Sequence, residues 1–171
     1  MKTVVIGSGS WGTALAQVLA DNGHEVIEYG INPEEVNDIN ENHENSKYFG
    51  NTKLNPELKA TTDISVVKDA DVVLLAVPTF AIESICEEID PLLTKKAIIV
   101  NVAKGFNPKT NERLSDVIRR CISRDHLSSV VSLIGPSHAE EVVVRQLTSI
   151  DAISLDDEDA KTIQKLFSNS Y

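Results

Sequence analysis

The sequence predicts an α/β fold with a doubly wound, mainly parallel sheet and helices on both faces. Three observations lead there. Short runs rich in β-branched residues alternate with longer stretches of helical period, and that alternation needs parallel strands joined by crossover helices. The stretch from Val72 to Val77 is apolar throughout, which implies a strand buried on both faces. A glycine-rich turn joins the first strand to the first helix, and the 171 residues suit one domain.

The elements follow in order. Thr3 to Ile6 is a buried strand, and the helix after the turn buries Ala14, Leu15, Val18 and Leu19 on one face before Asn22-Gly23 stops it. Glu25 to Tyr29 is the second strand. Asn32-Pro33-Glu34-Glu35 opens a helix with an N-cap residue, a proline in the first turn and acids at the positive end of the dipole, fading near Asn42. His43 to Asn55 reads as an ordered loop without a clear period. Asp63 to Asp69 is a short helix and Asp71 to Val77 the central strand. Thr79 is positioned to cap a helix with Ile82, Ile85 and Ile89 inward, followed by a strand over Ala97 to Asn101 and a helix over Asn111 to Ile122. Val130 to Ile134 is a strand, Ser137 to Val144 a helix, Thr148 to Ser154 a last strand and Asp156 to Ser168 a last helix.

Composition narrows the function classes. With 26 acidic against 16 basic residues the formal net charge is −10, which disfavours a track along nucleic acid or attraction to an anionic membrane. The longest apolar run falls far short of the roughly 18 to 20 residues that cross a bilayer. Met1-Lys2-Thr3 passes directly into the first strand, leaving no room for an export signal. Cys86 and Cys121 form neither a disulfide framework nor a cluster with metal-ligand spacing. The expectation is a cytoplasmic protein with no metal, no nucleic-acid partner and no membrane insertion.

Gly7-Ser8-Gly9-Ser10-Trp11-Gly12 is a GxGxxG fingerprint placed after a strand and opening a helix. Gly7 permits the tight turn, Gly9 lets a pyrophosphate approach the backbone, and Gly12 lets helix and strand pack closely. The helix N-terminus adds free N–H donors and a positive dipole end. Together these predict a Rossmann-type site for NAD or NADP. The residue that reads the adenosine ribose belongs at the end of the second strand, where Glu28 falls slightly early. Its two readings, ribose contact and solvated strand residue, are evenly placed. Gly30-Ile31-Asn32 brings neither acid nor base, so charge does not select between the two cofactors.

Three segments in order, Gly7 to Ala16, Val102-Ala103-Lys104-Gly105 and Gly135-Pro136-Ser137-His138-Ala139-Glu140-Glu141-Val142, resemble the motifs of bacterial-type NAD(P)-dependent glycerol-3-phosphate dehydrogenases. The resemblance covers the whole chain, including Asn22-Gly23-His24-Glu25-Val26, Ala60-Thr61-Thr62-Asp63 and Ala76-Val77-Pro78. It implies that Gly7, Gly9, Ser10, Trp11, Gly12, Tyr48, Lys104 and Ala139 bind the cofactor. Lys104, Gly135 and Ser137 would contact the substrate, with Ser137 also capping a helix. Ile31 stands where relatives often carry Arg or Lys. His138 is read as a surface or packing residue.

The implied reaction is the interconversion of dihydroxyacetone phosphate and sn-glycerol 3-phosphate, a step in glycerophospholipid supply. Residues 1–171 are expected to be the dinucleotide-binding domain. The family's helical substrate domain, with the proton-transferring lysine, is expected beyond Tyr171, so no catalytic acid or base is assigned within the chain and the isolated chain should be inactive. The expected partner is a small phosphorylated three-carbon substrate, and the open carboxyl edge of the sheet leaves room for a homodimer. Two other readings fit the fold: another two-domain hydroxy-acid dehydrogenase, and a non-catalytic redox-sensing module that binds NAD(P).

Overall fold

The computed structural model describes residues 1–171. In chain order its elements are β1 (Lys2–Ile6), α1 (Ser10–Asp21), β2 (Glu25–Tyr29), α2 (Pro33–Asn37), α3 (Ser46–Phe49), β3 (Lys59–Thr61), β4 (Val72–Leu75), α4 (Ile82–Ile89), β5 (Ala97–Asn101), α5 (Leu114–Cys121), β6 (Leu127–Ile134), α6 (Ala139–Val143), β7 (Asp151–Ser154) and α7 (Asp157–Phe167). One seven-stranded sheet runs in the order β3-β2-β1-β4-β5-β6-β7, all parallel except β7 against β6. This is the doubly wound arrangement read from the sequence.

Alternation along the inner strands divides the core in two. Val5, Val72, Leu74, Ile98 and Val100 pack with α1, α6 and α7 on one face. Val4, Ile6, Val73, Leu75 and Ile99 pack with α4 and α5 on the other. Their inner stretches, Val4 to Ile6, Val72 to Leu75 and Ala97 to Val100, are apolar without a break because helices cover both sides. The order reverses between β1 and β4, so the connections leaving their carboxyl ends run to α1 and α4 on opposite faces of the sheet and leave a crevice above the paired strand ends.

Capping chemistry places several element ends as expected. Asn32 accepts from the Glu34 N–H at 3.0 Å, and Pro33 fills the first helical position. Asp156 caps α7 through the N–H groups of Glu158 and Asp159. Asn22 closes α1. Beyond it, Asp21 accepts two hydrogen bonds from the Arg145 guanidinium at 2.7 and 2.9 Å and one from the Tyr171 hydroxyl at 2.8 Å, tying the last residue to α1.

Other expectations are corrected. Thr79 does not cap α4: Thr79 to Ala81 form a 3-10 turn after Pro78, and α4 begins without a side-chain cap. α5 starts at Leu114 rather than Asn111, whose φ of 58° takes it out of helical geometry. Ser137 is not a helix cap either, since α6 starts at Ala139 with His138 at the N-cap position and no side-chain bond there. The 43–55 loop contains the single turn α3, and the edge strand β3 was not anticipated. β6 begins earlier than expected, at Leu127, and β7 later, at Asp151.

Candidate cofactor site

The crevice between β1 and β4 is a cleft of about 650 Å³. Its floor is the glycine turn. Gly7 has φ +115°, and a Cβ there would lie 2.4 Å from the Ala76 carbonyl oxygen, so only glycine joins β1 to the turn beside β4. Gly12 is buried behind the turn, where a Cβ would come within 1.9 Å of the Gly7 carbonyl oxygen. Gly9 differs from both: a Cβ there would meet nothing within 4 Å, leaving open space against the N-terminus of α1. Among the helices of eight or more residues, α1 alone has no acid in its first turn. Bare backbone, open space and an uncompensated dipole end suit the close approach of a pyrophosphate.

Gly7, Gly9, Ser10, Trp11 and Tyr48 line this cleft with Ala76, Val77 and Pro78 from the end of β4. Trp11 is half-buried against the core, which fixes its indole at the mouth of the turn. Tyr48 is exposed on α3, with the Lys47 ammonium 5.1 Å from its ring centroid. At the far end, past β2, Ile31 is 84% exposed. Glu35 and Lys47 are the only charged side chains lining the cleft; read from the sequence, Glu35 has only a part in opening a helix and Lys47 no part at all. Lys47 Nζ donates to Glu35 Oε1 at 2.6 Å and Ser8 Oγ donates to Glu35 Oε2 at 2.9 Å. Burial works to raise the Glu35 pKa, but these hydrogen bonds and the lysine charge outweigh it and hold the carboxyl below its ordinary value.

Glu28 corrects both of its sequence readings: it is fully buried and so is neither a solvated strand residue nor a ribose contact. Its Oε1 accepts from Thr13 Oγ1 at 2.8 Å, while Oε2 has no partner. Burial, reinforced by the Glu35 charge and opposed by the Thr13 bond, pushes its pKa up to about 8. Asn45 belongs to the same cluster, donating to the Ser8 carbonyl at 3.0 Å and to Thr13 Oγ1 at 2.9 Å. The loop over the sheet edge is thereby pinned beneath the glycine turn.

The residues of the expected substrate side stand at the same carboxyl edge without lining this cleft. Lys104 follows β5 and is exposed, after a turn in which Asn101 bonds the Ala103 N–H and carbonyl at 3.3 and 3.2 Å. Gly135 follows β6 and packs so closely on the chain before β7 that a Cβ would lie 2.6 Å from the Ser149 carbonyl oxygen. Ser137 is half-buried and His138 exposed, whereas the Ala139 methyl belongs to the core. Lys104 and Gly135 follow the neighbouring strands β5 and β6 at the carboxyl edge of the sheet.

Comparison with known proteins agrees with this geometry. The chain is 46% identical over 171 residues to the glycerol-3-phosphate dehydrogenase (NAD(P)+) of Streptococcus mutans serotype c, a match spanning 99% of this chain and 50% of that protein. It is also 46% identical to the protein of the same name from Staphylococcus epidermidis, covering 99% of this chain and 52% of the relative. The chain therefore spans about half the length of the curated relatives it matches. Among solved structures, the glycerol-3-phosphate dehydrogenase of Coxiella burnetii superposes with a TM-score of 0.90 at 26% identity, over 99% of this chain and 51% of that one. A family model described as the NAD-dependent glycerol-3-phosphate dehydrogenase N-terminus matches residues 2–160. With that match running from β1 through the glycine turn to the start of α7, the chain belongs to the family of NAD-dependent glycerol-3-phosphate dehydrogenase N-terminal domains.

Proposed function

We propose that this chain holds NAD or NADP in the glycine-turn cleft and is the cofactor half of an enzyme that interconverts dihydroxyacetone phosphate and sn-glycerol 3-phosphate. The observation that carries the reading is the contrast within the turn: Gly7 and Gly12 are closed by backbone contact, whereas the space over Gly9 is open. Nothing in the fold itself requires glycine at this position: its φ is −76°, whereas the other glycines with open space above them, Gly23, Gly50 and Gly105, have positive φ. The N–H groups opening α1 take the pyrophosphate, Trp11 and Tyr48 flank it, and the β4 end from Ala76 to Pro78 forms the opposite wall.

The cofactor, when bound, supplies the hydride. The residues of the chain bind and orient. Lys104 places a cation beyond β5 where it attracts an anionic substrate and stabilises charge developing on a carbonyl oxygen. Gly135 gives backbone access and Ser137 a hydroxyl on the adjacent strand end. Ala139 contributes backbone at the start of α6, its methyl being occupied in the core. We assign residues 1–171 to the dinucleotide-binding domain and the proton-transferring lysine to a helical substrate domain in the half of the relatives that lies outside this match.

The test is calorimetry with NAD and NADH on the chain and on Gly9→Val. A β-branched side chain there fills the space above the turn, so binding should weaken at least about tenfold, a loss of about 1.4 kcal/mol. Equal binding by the two proteins would place the cofactor elsewhere.

A further inference from the structure

The adenosine end of the cleft lacks a reader on the strand that should carry one. Gly30-Ile31-Asn32, directly after β2, presents no acid to a ribose diol and no cation to a 2′-phosphate. The charges come instead from two residues twelve positions apart, Glu35 on α2 and Lys47 on α3. Their exposures differ: the Glu35 side chain is 10% exposed and the Lys47 side chain 58%. Glu35 is held on both oxygens, by Lys47 and Asn32 on Oε1 and by Ser8 on Oε2. Ser8 is itself the residue between the first two glycines, so the pair is tied to the turn that takes the pyrophosphate. Lys47 has three N–H donors, one of which goes to Glu35. The Tyr48 ring beneath it limits where the ammonium can move.

Resting on the dinucleotide reading of this cleft, we propose that Lys47, held by Glu35 and Tyr48, is the specificity residue that binds the 2′-phosphate of NADP. The physical reason is charge balance. Alone, the Glu35 carboxylate would repel a 2′-phosphate across the cleft. Neutralised by Lys47, it does not, and the remaining ammonium donors make charge-assisted bonds to the phosphate oxygens. The same neutral pair accepts the 2′-hydroxyl of NAD without penalty. Selection at the 2′ position therefore rests with a lysine on the covering loop, and Ile31 leaves the way to it open.

Calorimetry of the 171-residue chain with NAD and NADP, at fixed ionic strength, tests this. Lys47→Met should weaken NADP about 10- to 100-fold, through loss of the cation and exposure of the phosphate to an uncompensated Glu35, and change NAD by no more than about threefold. Lys47→Arg, which keeps the charge, should retain most of the NADP affinity. Lys53→Met removes a lysine paired with Glu44 outside the cleft and should alter neither cofactor. Circular dichroism checks that each variant is folded, and Lys47→Gln serves should the methionine variant fail. An equal loss for both cofactors, or an unchanged NADP affinity, would overturn the role of Lys47 and leave the cofactor site standing. No binding of either dinucleotide by the unsubstituted chain would overturn the site and this role together.

Discussion

Glu28→Gln should flatten the pH dependence of stability between about pH 4.5 and 8. The carboxyl is wholly buried under the glycine turn, has one bonded oxygen and one without a partner, and its pKa rises from 4.5 to about 8 on folding. Between those values the folded chain holds a proton that the unfolded chain has released. Stability therefore falls as pH rises through the window, and is level below and above it. Each pH unit inside the window costs about 1.4 kcal/mol, so the whole window amounts to about 5 kcal/mol as an upper figure. Glu28 Oε2 and Asn45 Oδ1 are both buried acceptors without a donor. Glutamine keeps the shape, stays neutral and brings N–H donors. Urea unfolding of both proteins at pH 5, 6, 7 and 8 checks this, because taking the difference cancels the titrating groups that do not interact with Glu28. The variant should gain steadily on the original chain, reaching a few kcal/mol at pH 8. Parallel pH profiles would refute the reasoning and mean that Glu28 is ionised in the fold.

The sheet and the glycine turn were legible because their signals are local. Apolar runs such as Val72 to Leu75 are continuous for the reason that both faces are covered, and Asn32 and Asp156 announce helix starts through their own side chains. β3 was not legible: Lys59-Ala60-Thr61 is three residues long, buries only Ala60, and is a strand through its pairing with β2. Glu28 misled because a carboxylate in a strand reads as solvated, and nothing nearby in sequence reveals the Thr13 hydroxyl that receives it. The covering loop carries no period because its order comes from distant partners. Asn45 reaches Ser8 and Thr13, and Leu54 and Leu58 enter the core. Lys47 and Glu35 were missed for the same reason, as a pair formed across twelve residues and fixed by a serine in the turn. Sequence signals were legible where local backbone geometry carries them, as in the glycine turn, and silent where side chains distant in sequence meet in space.

Two further outcomes follow from the same geometry. Gly12→Ala forces a Cβ to within 1.9 Å of the Gly7 carbonyl oxygen, a backbone atom that cannot swing aside. It should destabilise the chain by at least about 2 kcal/mol, lowering Tm by roughly 4 to 8 °C; a melt within a degree of the original would show that α1 slides freely on β1. The other concerns chemistry. Assayed by NADH oxidation with dihydroxyacetone phosphate, the 171-residue chain should run at least about a thousandfold below a full-length relative such as the Streptococcus mutans enzyme. Lys104 and Ser137 approach the carboxyl edge from the sheet side alone, with Lys104 exposed and Ala139 committed to the core. On the reading proposed above, the wall that orients the substrate carbonyl and the proton donor belong to the helical substrate domain. General acid catalysis and positioning are each worth orders of magnitude, and water is not excluded from so open an edge. Turnover near that of the relative would mean that the proton donor lies within these residues, and Lys104 and His138, the first basic side chains after the carboxyl ends of β5 and β6, would be the first to replace.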